Sequence, residues 1–338
     1  MKLYRLQGLA AAALLACAGG TAVAQDTNVQ LFGLVDVGVG RLQEPGSAAV
    51  YRVENGRMTT SHWGLRGTEE LGGGLQAVFS LESFFRADTG ATGRFDGDSF
   101  FARNAYVGLA GTQWGSVRLG RNTTPLFVST ISFNAFGDSY GFSPTVRHVF
   151  LPNAVTAPVT GDSAWSDSVL YSTPTWGGFR ANAIVAAGEQ NGGRNWSASA
   201  VYGAGPLGAT LVFQDVKKGA TVPDSRTWQA GLSWDFNVAK VFAQHTRAES
   251  RGVTPEAEYR LTDVTAAIPV GGGGSRVLAG YGLLDRSTGR DRRTFSFGYD
   301  HQFSKRTDLY AMAMQDKDEA AATRQTARSW AVGVRHRF

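Results

Sequence analysis

The sequence predicts an all-β fold, a closed antiparallel β-barrel that crosses a membrane, and three observations carry that expectation. Most of the chain alternates apolar and polar residues with period two, the repeat of a strand with one buried face. The connections between these segments tend to alternate short and long. The chain opens on an export signal and then has no apolar run of 18 residues, so it carries no visible membrane helix. A barrel strand needs only about 9–11 residues with one apolar face, so a barrel hides its membrane character from hydropathy.

Lys2 and Arg5 begin the signal, Leu9–Ala18 is its apolar stretch, and Ala22-Val23-Ala24 is a small-x-small cleavage site. Residues 1–24 are therefore expected to be removed, leaving a barrel over 25–338. Cys17 follows Leu14-Leu15-Ala16 as in a lipoprotein box, but Leu15 fits that box poorly. Cys17 is the only cysteine, so the processed chain has neither a disulfide framework nor a thiolate metal site. The full chain carries 33 Lys and Arg against 28 Asp and Glu, and loss of Lys2 and Arg5 narrows even that excess. So small a balance, with no basic run, excludes nucleic acid as the expected partner.

Sixteen candidate strands follow in order, roughly at 29–40, 57–68, 74–87, 99–111, 115–121, 166–173, 178–188, 194–203, 207–217, 225–236, 238–248, 257–267, 275–285, 292–303, 306–316 and 327–338. The alternation is cleanest in three of them. Trp228, Ala230, Leu232, Trp234 and Phe236 share one parity, against Gln229, Gly231, Ser233 and Asp235. Phe295, Phe297, Tyr299 and Phe303 alternate with Ser296, Gly298, Asp300 and Gln302. At the end, Trp330, Val332, Val334 and Phe338 oppose Arg335 and Arg337. A charge on the lipid face costs about 2–4 kcal/mol at the midplane, so both arginines belong inside. Trp114, Trp176, Trp234 and Phe236 gather near short turns, where an interfacial aromatic girdle is expected. A soluble sandwich or adhesin also alternates, but it needs neither this lipid-facing aromatic parity nor a terminal Phe338.

Asn122–Trp165 breaks the pattern. It has no sustained alternation and contains Pro125, Pro144, Pro152 and Pro158, which disfavour a central strand. So long a connection in a compact fold signals function, and it is expected to fold into the barrel and narrow it.

At this point the residues resemble a known family. Val29–Asp36 resembles the first strand of the general porins of Gram-negative bacteria, in their beta-proteobacterial branch. Ser61-His62-Trp63-Gly64-Leu65-Arg66-Gly67-Thr68-Glu69-Glu70-Leu71-Gly72-Gly73-Gly74-Leu75 is similar to their second strand and first turn. Arg103–Leu109 with Gly115–Arg121, Ser168–Pro174, Ser304–Tyr310 and the terminal Arg335-His336-Arg337-Phe338 match as well. The resemblance implies a sixteen-stranded homotrimeric barrel set in outer-membrane lipid and lipopolysaccharide. It implies diffusion of small hydrophilic solutes and ions, an inward-folded loop after strand five, and Phe338 as the signal read by the barrel assembly machinery. It implies no enzymatic activity and no cofactor.

A diffusion channel needs a water-filled bore and charged groups at its narrowing. Parity nominates Asp36, His62, Arg66, Glu82 and Arg118 for the bore. It also places Arg103 on a face with Ala105, opposite Tyr106. By the resemblance Arg103 holds the position of a constriction arginine, and His62 replaces a usual arginine. An unperturbed histidine titrates near 6.5, so the expected preference is mildly anionic and strengthens as pH falls. Asp138 and Asp162 are the acids of Asn122–Trp165. Arg147 and His148 are expected at the surface, and Arg121 in loop anchoring or trimer contacts. Two alternatives remain open. A substrate-specific sugar or organic-anion channel would use an aromatic track, with Phe32, Phe127, Phe133 and Phe136 as candidates. An outer-membrane hydrolase would use Ser139 of Gly137-Asp138-Ser139-Tyr140-Gly141 as nucleophile and His148 as base, without the strand–turn–helix setting that motif requires.

Overall fold

In the computed structural model, residues 28–150, 160–188, 193–217, 224–251, 256–287, 291–320 and 323–338 are described. The signal segment 1–24 lies outside them. The strands are β1 (Asn28–Leu42), β2 (Val50–Asn55), β3 (His62–Gly72), β4 (Leu75–Arg86), β5 (Ala91–Thr92), β6 (Asn104–Gly111), β7 (Gly115–Thr123), β8 (Ala164–Ser172), β9 (Phe179–Ala186), β10 (Asn195–Ala204), β11 (Leu207–Val216), β12 (Asp224–Asp235), β13 (Lys240–Arg251), β14 (Ala257–Pro269), β15 (Arg276–Arg286), β16 (Asp291–Gln302), β17 (Thr307–Ala320) and β18 (Thr323–Arg337). Two helices, α1 (Pro125–Ser132) and α2 (Pro144–Phe150), lie between β7 and β8.

Sixteen of these strands make the barrel; β2 and β5 are short additions in the long loops. Every neighbouring pair is antiparallel. The ring closes because β1 pairs with β3 from Asn28↔Thr68 to Leu34↔His62 and with β18 from Leu34↔Arg337 to Arg41↔Trp330. Gly33 and Phe338 exchange both backbone hydrogen bonds at 3.1 Å, so the last residue continues the seam. Closure leaves no unpaired sheet edge, the condition for backbone to lie in hydrocarbon.

The outer face is apolar, with Val107, Leu109, Leu119, Leu211, Trp228, Leu232, Val264, Phe295, Phe297 and Val332 all exposed. Trp114, Trp176, Trp234 and Phe236 are exposed beside the short turns, as the girdle requires. Among the described residues, no helix is long and apolar enough to cross a membrane. The inner face carries the polar parity, and Arg335 is buried there between Asp300 (2.8 Å) and Asp308 (2.6 Å).

All sixteen predicted strands exist, and two begin about five residues later than expected. The second starts at His62 rather than 57, because Asp36 captures the chain before it. One carboxylate oxygen of Asp36 accepts the backbone N–H groups of Met58 and Thr59, each at 2.8 Å, and the other accepts the Tyr310 hydroxyl at 2.8 Å. The fourth starts at Asn104 rather than 99, and this reverses a predicted face. Asn104 and Tyr106 point inward while Val107 and Leu109 point to lipid. Arg103 precedes the strand, so strand parity does not govern it, and its side chain still reaches the bore.

Candidate functional site

The connection between β7 and β8 is not structureless. Pro125 opens α1, and the Thr124 hydroxyl caps it by accepting the Phe127 N–H at 3.2 Å. Pro144 opens α2. Pro125 and Pro144 therefore sit where a helix tolerates proline best, at its first turn, while Pro152 and Pro158 lie outside the described residues.

The loop lies inside the barrel against the inner face of β11–β16, where small residues make room for it. A Cβ added at Gly231 would lie 3.1 Å from Phe133, one at Gly280 2.8 Å from Phe136, and one at Gly282 2.8 Å from Pro144. Wall side chains then tie down loop backbone and hydroxyls. Gln229 and Gln244 donate to Thr130 Oγ1 and O, each at 2.9 Å. The Thr265 hydroxyl accepts the Ala135 N–H at 2.8 Å, and the Thr145 hydroxyl donates to Asp263 at 2.5 Å.

Arg147, expected at the surface, is buried, because α2 turns it into the barrel wall. It meets Glu44 at 2.7 Å and Asp316 at 3.3 Å, and Arg292 pairs with the same two acids. His148 also faces the wall, with Nε2 2.8 Å from Thr294 Oγ1. Burial pushes its imidazole down to about 3. The docked loop thus holds His148 neutral, whereas a released loop takes up a proton below about pH 6.5. Docking should weaken as pH falls from about 6.5 toward 3, by at most about 1.4 kcal/mol per pH unit. Open-channel current noise in planar bilayers is expected to rise between pH 7 and pH 5, and His148→Gln to flatten that rise.

With the loop on one wall, an opening of about 440 Å³ remains between α1 and the inner face of β4 and β6–β10. Arg103, Arg118 and Arg180 enter it, with Glu82, Asp138 and Tyr106. Arg66 stands lower on the same wall, beside Gln30 and Arg118. Their compensation is unequal. Arg103 is ion-paired to Glu82. Arg118 lies over the Tyr106 ring at 4.8 Å, and Arg66 donates to Gln30 at 3.2 Å. Among the described residues, Arg66, Arg118 and Arg180 pair with no carboxylate.

Asp36, His62 and Asp162 stand elsewhere. Asp36 faces inward but is fully buried by its three donors. His62 is buried edge-on to Phe84, with Nδ1 2.9 Å from Thr60 O, and Phe84 borders the opening in its place. Asp138 borders the opening and accepts the Thr59 hydroxyl at 2.9 Å. Asp162 lies at the base of the loop between Arg121 (2.8 Å) and Arg94 (3.3 Å). Burial pushes the Asp162 carboxyl up, but Arg94 and Arg121 outweigh it and hold it below the ordinary value. The loop therefore offers α1 to the opening through Val128, Ile131 and Ser132, with no acid on that helix.

Sequence reasoning missed Arg180, which follows the outward Phe179 by one and was available from parity. It also missed the ion network around Arg147, which joins residues far apart in the chain and leaves no local pattern. Of the aromatic-track candidates, Phe133 and Phe136 seat the loop against glycines. Phe127 packs on Tyr140 and Phe150 and borders the opening with Phe133, while Phe32 lies beneath Arg66. The Ser139 hydroxyl donates to Arg57 O at 2.7 Å and accepts the Phe142 N–H at 2.9 Å, away from the His148–Thr294 contact.

The sequence profile of the Gram-negative porin family matches residues 10–321. An outer membrane porin protein of Bordetella pertussis is 30% identical, over 98% of this chain and 99% of its own length. Outer membrane porin protein 32 of Delftia acidovorans is 32% identical, over 97% of this chain and 95% of its own. Among solved structures, the anion-selective porin from Comamonas acidovorans superposes with a TM-score of 0.79 at 28% identity, covering 93% of this chain and all of that one. With a closed sixteen-stranded barrel and a loop folded into its bore, the chain belongs to the Gram-negative porin family and is an outer-membrane porin that forms a channel.

Proposed function

We propose that the channel passes small hydrophilic solutes and ions by passive diffusion with a preference for anions. The observation that carries this reading is the unequal compensation at the opening. Arg66, Arg118 and Arg180 pair with no described carboxylate. Against these three cations the loop sets only Asp138, which accepts the Thr59 hydroxyl at the edge of the opening, because Asp162 is held by Arg94 and Arg121 and α1 has no acid. A row of fixed positive charge on a low-dielectric wall concentrates anions and excludes cations. The anion selectivity stated for the Comamonas porin supports the same direction. Arg103, Arg118, Arg66, Glu82 and Asp138 are assigned to the constriction, and Asp36, His62 and Asp162 to holding the segments that shape it. The test is the zero-current potential of the purified protein in a planar bilayer under a KCl gradient. The sign for chloride preference is expected, and the potassium sign would refute the assignment.

The separate engagement of Ser139 and His148 supports a channel without catalytic activity. Residues 1–24 are assigned as a removed signal peptide, so the exported protein should begin at Gln25 on N-terminal sequencing. Family membership supports a homotrimer in lipid and lipopolysaccharide, with Phe338 read during assembly. An unheated sample should run on a gel at the trimer mass and shift to the monomer on boiling.

A further inference from the structure

We infer that the eyelet recognises amphiphilic monoanions, carboxylates carrying an aromatic or branched apolar body, in preference to equally charged anions without one. The inference rests on the anion-preferring reading and deepens it. The opening has two unlike walls. One carries Arg118 and Arg180, with no described carboxylate partner, and Tyr106. The other is α1, which turns Val128 and Ile131 into the same space, with Val128 46% exposed.

That exposure calls for explanation. A water-filled bore gains nothing from bare aliphatic surface, and the remaining buried side of α1 already seats the helix through Leu126, Ser129 and Thr130. Val201, paired with Arg180 across β9 and β10, continues the apolar surface. A solute with a carboxylate at one end and an apolar body at the other satisfies both walls at once. Its carboxylate takes the forked guanidinium donors, which suit that group bidentately. Its body covers Val128 and Ile131 and removes apolar surface from water on both partners. A small dicarboxylate or acetate satisfies only the arginines, and a neutral aromatic only the helix. The opening of about 440 Å³ is within the range of small-molecule sites and has room for a single-ring acid with its water.

Current block in planar bilayers tests this with full-length channels, using benzoate, acetate and benzyl alcohol as probes added to a KCl bath. Half-block by benzoate is expected at a concentration about tenfold below that of acetate, with benzyl alcohol weaker than benzoate. In Val128→Ser/Ile131→Ser, and in the near-isosteric Val128→Thr, the benzoate value should move toward that of acetate. The KCl zero-current potential is recorded on the same channels, so charge preference and apolar recognition are read separately. A potassium-sign potential would overturn the anion reading. With the chloride sign in place, coincident benzoate and acetate values in the unmodified channel would overturn the present inference alone. So would a benzoate advantage that survives both helix variants.

Discussion

Replacing Arg118 and Arg180 together with glutamate is expected to turn the channel from anion to cation preference. Neither guanidinium is paired with a described carboxylate, so each projects nearly its full charge into the opening. The double exchange moves the local charge by four units. A positive unit charge about 4 Å away attracts an anion and repels a cation by about 1 kcal/mol each even in water-like surroundings, a difference of about 2 kcal/mol or roughly a thirtyfold bias between them. The chloride-to-potassium permeability ratio should therefore drop by at least about tenfold and cross unity. Because the bore is wet, the change should be larger at 0.1 M than at 1 M salt, where the Debye length falls from about 10 to about 3 Å. Arg103→Glu should do less, since Glu82 already offsets Arg103. A zero-current potential that keeps its sign in the double variant would show that selectivity is set elsewhere.

The second large effect is expected at Asp316. This buried carboxylate accepts from Arg292 Nε at 2.8 Å, from the Thr294 hydroxyl at 2.9 Å and from Arg147 at 3.3 Å, while Glu44 closes the network from the loop after β1. Asp316→Ala takes a buried carboxylate away from two buried guanidinium groups, and Glu44 is the acid they still share. Removing one partner of a buried charge set costs about 3–5 kcal/mol, because the remaining charge is uncompensated. The consequence falls on α2, whose attachment to the wall depends on Arg147. Open-channel noise and brief closures should increase, with a lower thermal midpoint. A quiet channel in this variant would mean that the glycine-seated aromatics hold the loop unaided. Burial raises the Glu44 carboxyl, but Arg147 and Arg292 outweigh it and hold it below the ordinary value. Its contribution is therefore present above the usual carboxylate pKa of about 4.3 and lost only as pH falls below that. The network should survive the acidification that protonates a released His148.

The barrel was legible because each strand repeats one rule, apolar toward lipid and polar toward water. Even Arg335 was placed by the cost of a charge in hydrocarbon, and it lies inside between Asp300 and Asp308. The rule failed where the chain leaves the sheet. Tyr106 was given the wrong face because parity was counted from Arg103, which precedes the strand. His62 and Asp36 show a second limit. Parity gives the side a residue faces but not its depth, so it cannot separate a pore wall from a side chain buried by the 56–61 segment. The loop resisted for a different reason. Its eight-residue α1 is too short to show a periodic stripe, and its position depends on distant glycines, Gly231 and Gly280, that admit Phe133 and Phe136.

The central claim is that permeating anions follow the arginine wall on the β6–β9 side of the loop. Anomalous diffraction from crystals grown in or soaked with bromide measures this directly. Bromide peaks are expected within hydrogen-bonding reach of Arg118 and Arg180, facing α1. Full occupancy at other cationic positions with no bromide at either of these arginines would contradict the account.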